Sequence, residues 1–150
     1  MADVRVFVSF DLEHDRDLYA AMLEQSREVG SGLRIASHSE AREMSDQWEL
    51  KQRTQIREAD EVIVVCGAHT ADSMRMSAEL RIVQEEETPY MLLWGRREIM
   101  CTRPAGARPT DSMYSWTPGI LRAQIAYTLR KDQPSEALTI FKRTLAIAKH

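Results

Sequence analysis

Val62 to Val65, inside the segment EVIVVC at Glu61 to Cys66, are adjacent β-branched residues with no polar residue among them. Such residues favour extended backbone, and a strand that is apolar on both sides must be covered on both faces. This is the pattern of an interior strand of a parallel sheet, which calls for helices above and below it.

The neighbouring segments supply them. Val4 to Phe10 (VRVFVSF) is a second β-branched and aromatic run, and Glu13 to Val29 follows with Leu18, Met22 and Val29 at helical spacing. Gly30-Ser31-Gly32 ends that helix, and Leu33 to Ala36 is a weaker strand. Ser37 to Ser45 is polar and without period. Ser45 or Asp46 then caps a helix running to about Ala59, with Trp48, Gln52, Ile56 and Ala59 on one side. Beyond Cys66, Asp72 or Ser73 caps a helix whose inner stripe is Met76, Leu80 and Val83. Thr88-Pro89 stops it after Glu85-Glu86-Glu87.

Tyr90 to Trp94 (YMLLW) reads as a fourth strand, and Arg103 to Pro109 as a loop. Pro118 opens a helix carrying Ile120, Leu121, Ile125 and Leu129, and Pro134 opens a last one with Leu138, Phe141, Leu145 and Ala148. The alternation predicts an α/β fold: a single three-layer, flavodoxin-like domain over residues 1–150, with a central mostly parallel sheet, helices on both faces and 117–150 as C-terminal helices. In such sheets ligands bind outside the carboxyl ends of the strands, here the segments after Phe10, Ala36, Cys66 and Trp94.

Composition narrows the function classes. With 43% hydrophobic and 29% charged residues in 150, the chain can bury an ordinary core. A net charge of -3 leaves no cationic excess for phosphates or anionic lipid, so neither nucleic acid nor membrane is an expected partner. No apolar run approaches the roughly 20 residues of a membrane helix, and Met1-Ala2-Asp3 leads straight into a strand without a signal-type segment. A cytoplasmic location is expected.

Cys66 and Cys101 lack CxxC spacing, which argues against a zinc site or a disulfide framework. His14, His38 and His69 each follow a strand and can approach one another, but without metal-ligand spacing no metal is expected. Asp11, Asp15 and Asp17 read either as an acidic site or as a solvated cluster favourable to a helix dipole. GxGxxG, GxxxxGK[ST], HExxH and GxSxG are all absent, which removes the dinucleotide-fold, phosphate-loop, zinc-protease and esterase signatures.

The segment after the best strand, Ser73 to Leu80 (SMRMSAEL), contains the most informative acid. At about 100° per residue Glu79 falls about 60° from Met76, at the rim of the inner face. Geometry alone leaves two readings: a partly shielded carboxylate leaning over the sheet edge, and a boundary glutamate with its head in solvent.

These pieces together resemble the TIR-like domains of the bacterial Thoeris antiphage-defence family. Val6 to Asp11 with His14-Asp15 and Tyr19 is similar to the family's first strand and helix, "SFD…HD…Y". Ile56 to Val65 is similar to its passage from second helix to third strand. Gly67 to Thr70 and Ser73 to Leu80 resemble the pattern Ser-x-Trp-x-x-x-Glu-Leu/Ile, with Arg75 in place of the tryptophan. The likeness covers roughly Val4 to Trp94, with Tyr114-Ser115-Trp116 as a late element. Ser37 to Ser45 corresponds to the family's mobile loop without a diagnostic motif.

The resemblance implies an NAD-consuming signalling enzyme. It would cleave the nicotinamide–ribose bond to give ADP-ribose or a cyclic ADP-ribose-like product in antiphage defence, with NAD as substrate and no cofactor. Glu79 would be catalytic, and Phe10, Asp11 and Ser73 would bind substrate; strand-end packing or helix capping accounts equally for these three. The implied partners are NAD or a related nucleotide, further copies of the chain in a homo-oligomer, and a downstream effector that reads the nucleotide signal. The alternative is a catalytically silent interaction module, which Arg75 favours. A nucleoside-processing enzyme of similar layered form is a third reading.

Overall fold

Strand β3 (Glu61–Cys66) is buried along its whole length, as its unbroken Val/Ile run requires. In the computed structural model, which describes residues 3–132, β1 (Val4–Ser9) and β4 (Tyr90–Trp94) flank it. Outside these lie β2 (Leu33–His38) and β5 (Met113–Ser115), so the order is β2-β1-β3-β4-β5 and every pairing is parallel.

The pleat divides the core. Phe7, Val62, Val64 and Leu92 point to one face and pack with residues of α2 (Asp46–Glu58) and α3 (Met74–Glu85). Val6, Val8, Ile63, Val65, Met91 and Leu93 point to the other, against α1 (Arg16–Ser26) and α4 (Pro118–Asp132). This is the expected three-layer α/β architecture with helices on both faces. Helices α2 and α3 are also joined at their ends: Arg53 and Arg57 of α2 bind Glu86 at 3.1 and 2.9 Å. These two guanidiniums, Arg57's first, hold the Glu86 carboxyl down at about 2.

From β1 the chain crosses outward to β2, then returns past β1 to β3. The connections therefore diverge between β1 and β3, and a crevice opens at the carboxyl ends of those strands. The edge strand β2 carries a bulge. Val6 lies opposite Ile35 but Phe7 opposite Ser37, so Ala36 is an extra residue in the ladder. Because side chains alternate with a period of two, this single residue moves everything after it to the opposite face. Leu33 and Ile35 pack on the α1 side, whereas Ser37 and the residues in step with it turn toward α2 and α3.

Some boundaries differ from expectation. Helix α1 ends at Ser26, and Val29, expected on its inner face, is fully exposed, because Gly30 and Gly32 at φ of 78° and 76° turn the chain toward β2. Strand β2 runs two residues past Ala36, since backbone pairing with Phe7 and Val8 does not need apolar side chains. Residues Met113–Ser115 form a strand, ordered by pairing with Leu92–Trp94. Ile120 is exposed while Leu121 and Ile125 are buried. The helix expected from Pro134 lies outside the described residues. No helix among those described is long and apolar enough to cross a membrane.

Candidate functional site

The crevice at the β1/β3 switch point is a cavity of about 760 Å³. Asp11, Glu13, His14 and Arg16 line it from after β1, Ala41 to Met44 from after β2, His69 from after β3, and Asp72 to Arg75 from the start of α3. Volumes of this order hold nucleotide-sized ligands.

Ser73 is the N-cap of α3, its hydroxyl accepting the Met76 N–H at 3.1 Å. Asp11 is buried and accepts the Glu13 N–H and a hydrogen bond from His14 Nδ1, both at 2.9 Å, which raises the imidazole above its ordinary pKa. The His14 ring stacks on His69 at 3.9 Å. His38 lies apart from them, beside Tyr19 at 4.8 Å, because the end of β2 faces α1 at that position. Among the described residues no group of three or more His, Cys, Asp or Glu side chains converges as a metal site. Phe10 stacks on Tyr19 at 4.8 Å, buried on the α1 side, and does not line the cavity.

Glu79 lies deeper than the rim position expected from three stripe residues, and has no exposed surface. The buried arc of α3 includes Ile82 as well as Met76, Leu80 and Val83. At about 100° per residue Ile82 falls about 120° from Met76, which puts Glu79 in the middle of the arc rather than at its edge. Its Oε1 accepts from Ser9 Oγ at 2.8 Å and Ser39 Oγ at 2.7 Å. Oε2 is buried with no hydrogen-bond partner among the described residues. Burial raises the carboxyl to about 7, opposed by the two serine hydroxyls and by the charge of Arg75.

Arg75, one turn before Glu79, lines the cavity. Its guanidinium lies over the Trp48 ring of α2, 5.4 Å from the centroid, and donates to the Arg42 carbonyl at 2.6 Å. It thereby ties α3 to the segment from Ala41 to Met44. That segment is also held at Glu40, whose carboxylate binds Lys51 of α2 at 2.8 Å.

Behind the cavity Asp15 is buried directly under Gly67, where an added Cβ would lie 2.2 Å from Asp15 Oδ2. Burial raises its carboxyl despite the Arg96 guanidinium at 3.0 Å. Arg96 also binds Asp17 at 2.8 Å and the His14 carbonyl at 3.1 Å, and so fastens the segment after β4 to the start of α1. Arg96→Ala should lower stability by roughly 1–3 kcal/mol, because it leaves a buried carboxyl without its donor. Thermal unfolding tests this; an unchanged midpoint would mean that Asp15 does not depend on Arg96.

Ser9, Ser39 and Arg96 carry no motif of their own in the chain. The face of Ser9 is legible from strand alternation, since it shares the α3-facing side of β1 with Phe7. That of Ser39 is not, because only the bulge turns it that way. A family model described as "Thoeris protein ThsB, TIR-like domain" matches residues 7–97, which include the described groups around Glu79. None of the curated proteins matches the chain.

Proposed function

Because the chain belongs to the family of TIR-like domains of the Thoeris protein ThsB, we propose that it is an NAD-consuming signalling enzyme of antiphage defence that cleaves the nicotinamide–ribose bond. The observation that supports this best is Glu79. It is a buried carboxyl near neutral pKa, at the switch point of the sheet and one helical turn from the cavity wall.

The C–N bond breaks with its electron pair passing to the pyridinium nitrogen, so nicotinamide leaves neutral and needs no acid. The positive charge left on the ribose is oxocarbenium-like, and a carboxylate shielded from water stabilises it strongly. Water attacking C1′ then gives ADP-ribose and releases a proton, which the carboxylate can accept; attack by an adenine nitrogen gives the cyclic product. Asp11 and Ser73, which line the cavity, would contact the nucleotide. Since Glu79 has no exposed surface and does not line the cavity, substrate contact requires the groups between them to move aside.

The test is nicotinamide release from NAD by concentrated protein, with products separated by chromatography and Glu79→Gln run in parallel. Release is expected from the wild type, and the second product distinguishes hydrolysis from cyclisation. If the ionised carboxyl is the working form, the rate should rise with pH through a midpoint near 7. A rate independent of pH between 6 and 8 would remove Glu79 from this role. The anchoring of Arg75 on Trp48 and on the Arg42 carbonyl favours the second reading, a silent interaction module. Absence of release at every concentration would support that reading.

A further inference from the structure

The hydrogen bonds around Glu79 distinguish its two oxygens. A serine hydroxyl has one proton to give and two lone pairs to receive. Ser39 Oγ accepts the Phe10 N–H at 3.1 Å, and among the described residues the acceptor in reach of its own proton is Glu79 Oε1 at 2.7 Å. Ser9 Oγ has the same acceptor at 2.8 Å. Were Oε1 protonated, it would face two hydroxyls with only one proton to donate, and a serine proton would be left without an acceptor. Oε1 is therefore the oxygen that stays bare, and a proton on this carboxyl belongs on Oε2, which no described group occupies.

Ser39 is held for this task by the backbone. Its N–H donates to the Val8 carbonyl at 3.0 Å, and the bulge at Ala36 puts it on the α3 side of the sheet. The charged group acting on Glu79 is Arg75 on its own helix; Ser9 from β1 and Ser39 from the end of β2 meet it as neutral donors. Ser39 stands two residues before the cavity-lining segment from Ala41 to Met44.

We propose that Ser39, with Ser9, is a positioning residue that fixes Oε1 of Glu79 as an acceptor and leaves Oε2 as the oxygen that exchanges the proton and turns to the reacting ribose. The catalytic consequence rests on the NAD-cleaving reading; the hydrogen-bond assignment does not. Both serines favour the ionised carboxylate, so removing either should make it a weaker acid.

The experiment is an isotope-edited infrared titration of the unliganded full chain, with the Glu79 signal assigned by its loss in Glu79→Gln. Wild type is compared with Ser39→Ala, Ser9→Ala and Ser39→Thr, and kcat and KM for nicotinamide release are measured on the same samples. The midpoint should rise by about one pH unit or more in each alanine variant and return toward wild type in Ser39→Thr, which keeps the hydroxyl. At pH 7 kcat should fall by about fivefold or more in Ser39→Ala with KM little changed, and recover at higher pH.

Unchanged midpoints in folded Ser39→Ala and Ser9→Ala would overturn the positioning role. If Ser39→Ala does not fold, Ser9→Ala decides alone: a raised midpoint supports the proposal and an unchanged one overturns it. If no variant nor the wild type releases nicotinamide, the enzyme reading fails, while the titration still decides the role of the serines.

Discussion

Glu79→Gln should be more stable than the wild type above pH 7 and should lose nicotinamide release. An unfolded glutamate titrates near its ordinary 4.5, whereas the folded carboxyl is raised to about 7 by burial. Between those values the unfolded chain has released a proton that the folded chain still holds. Wild-type stability therefore falls as pH rises through that window, and is level above it. The loss is about 1.4 kcal/mol per pH unit, on the order of 3 kcal/mol in all. Glutamine has nearly the same shape and does not titrate, so its variant escapes this loss. The two unfolding midpoints should agree near pH 4.5 and separate toward pH 8, by roughly 2–4 °C per kcal/mol. Activity should move the other way, by about 10²-fold or more, because a neutral amide cannot balance a developing cation. Parallel pH dependence of stability in both proteins would mean that the buried carboxyl is not neutral near pH 6. Undiminished release by the variant would remove Glu79 from the chemistry.

Gly95→Ala should be strongly damaging, because the Cβ it adds meets backbone as well as side chain. Gly95 follows β4 and donates its N–H to the Cys66 carbonyl at 2.9 Å. A Cβ there would lie 2.7 Å from that same carbonyl oxygen and 2.6 Å from Leu18 Cδ1. The carbonyl belongs to the central strand and cannot rotate away, and Leu18 is buried on the inner face of α1. The end of β4 would have to move off β3, at the sheet edge that bears Gly67 and Arg96. Overpacking of this kind costs about 3 kcal/mol or more, a large share of the stability of an ordinary domain. Gly119→Ala is the control. A Cβ there meets nothing within 4 Å, so it should stabilise α4 by up to about 1 kcal/mol. Urea unfolding midpoints compare the two, and a Gly95→Ala midpoint within error of wild type would show that the sheet edge yields freely.

The features legible in the chain are those that local chemistry dictates. An unbroken Val/Ile run at Val62–Val65 demands cover on both faces, and helical stripes on either side of it provide that cover, so the parallel sheet and its layers follow. Ser45 and Ser73 mark helix starts because a side-chain oxygen there satisfies a backbone N–H that the helix leaves open. The carboxyl edge as the place for a site follows from the strand and helix alternation alone.

The inside of the site depends on relations between distant segments, which no local period encodes. Glu79 is sealed in because Ile82 extends the apolar arc beyond it, whereas a stripe of Met76, Leu80 and Val83 alone places it at the rim. His38 leaves the other two histidines for Tyr19. Ser39 reaches Glu79 only because one extra residue at Ala36 shifts the register between β1 and β2 and exchanges the faces of everything beyond it. By itself the sequence determined which elements form and in what layers, since periodicity and capping act within a few residues. Tertiary structure alone decided which side chains meet at the carboxyl edge, since register and depth are set by the packing of strands and helices far apart in the chain.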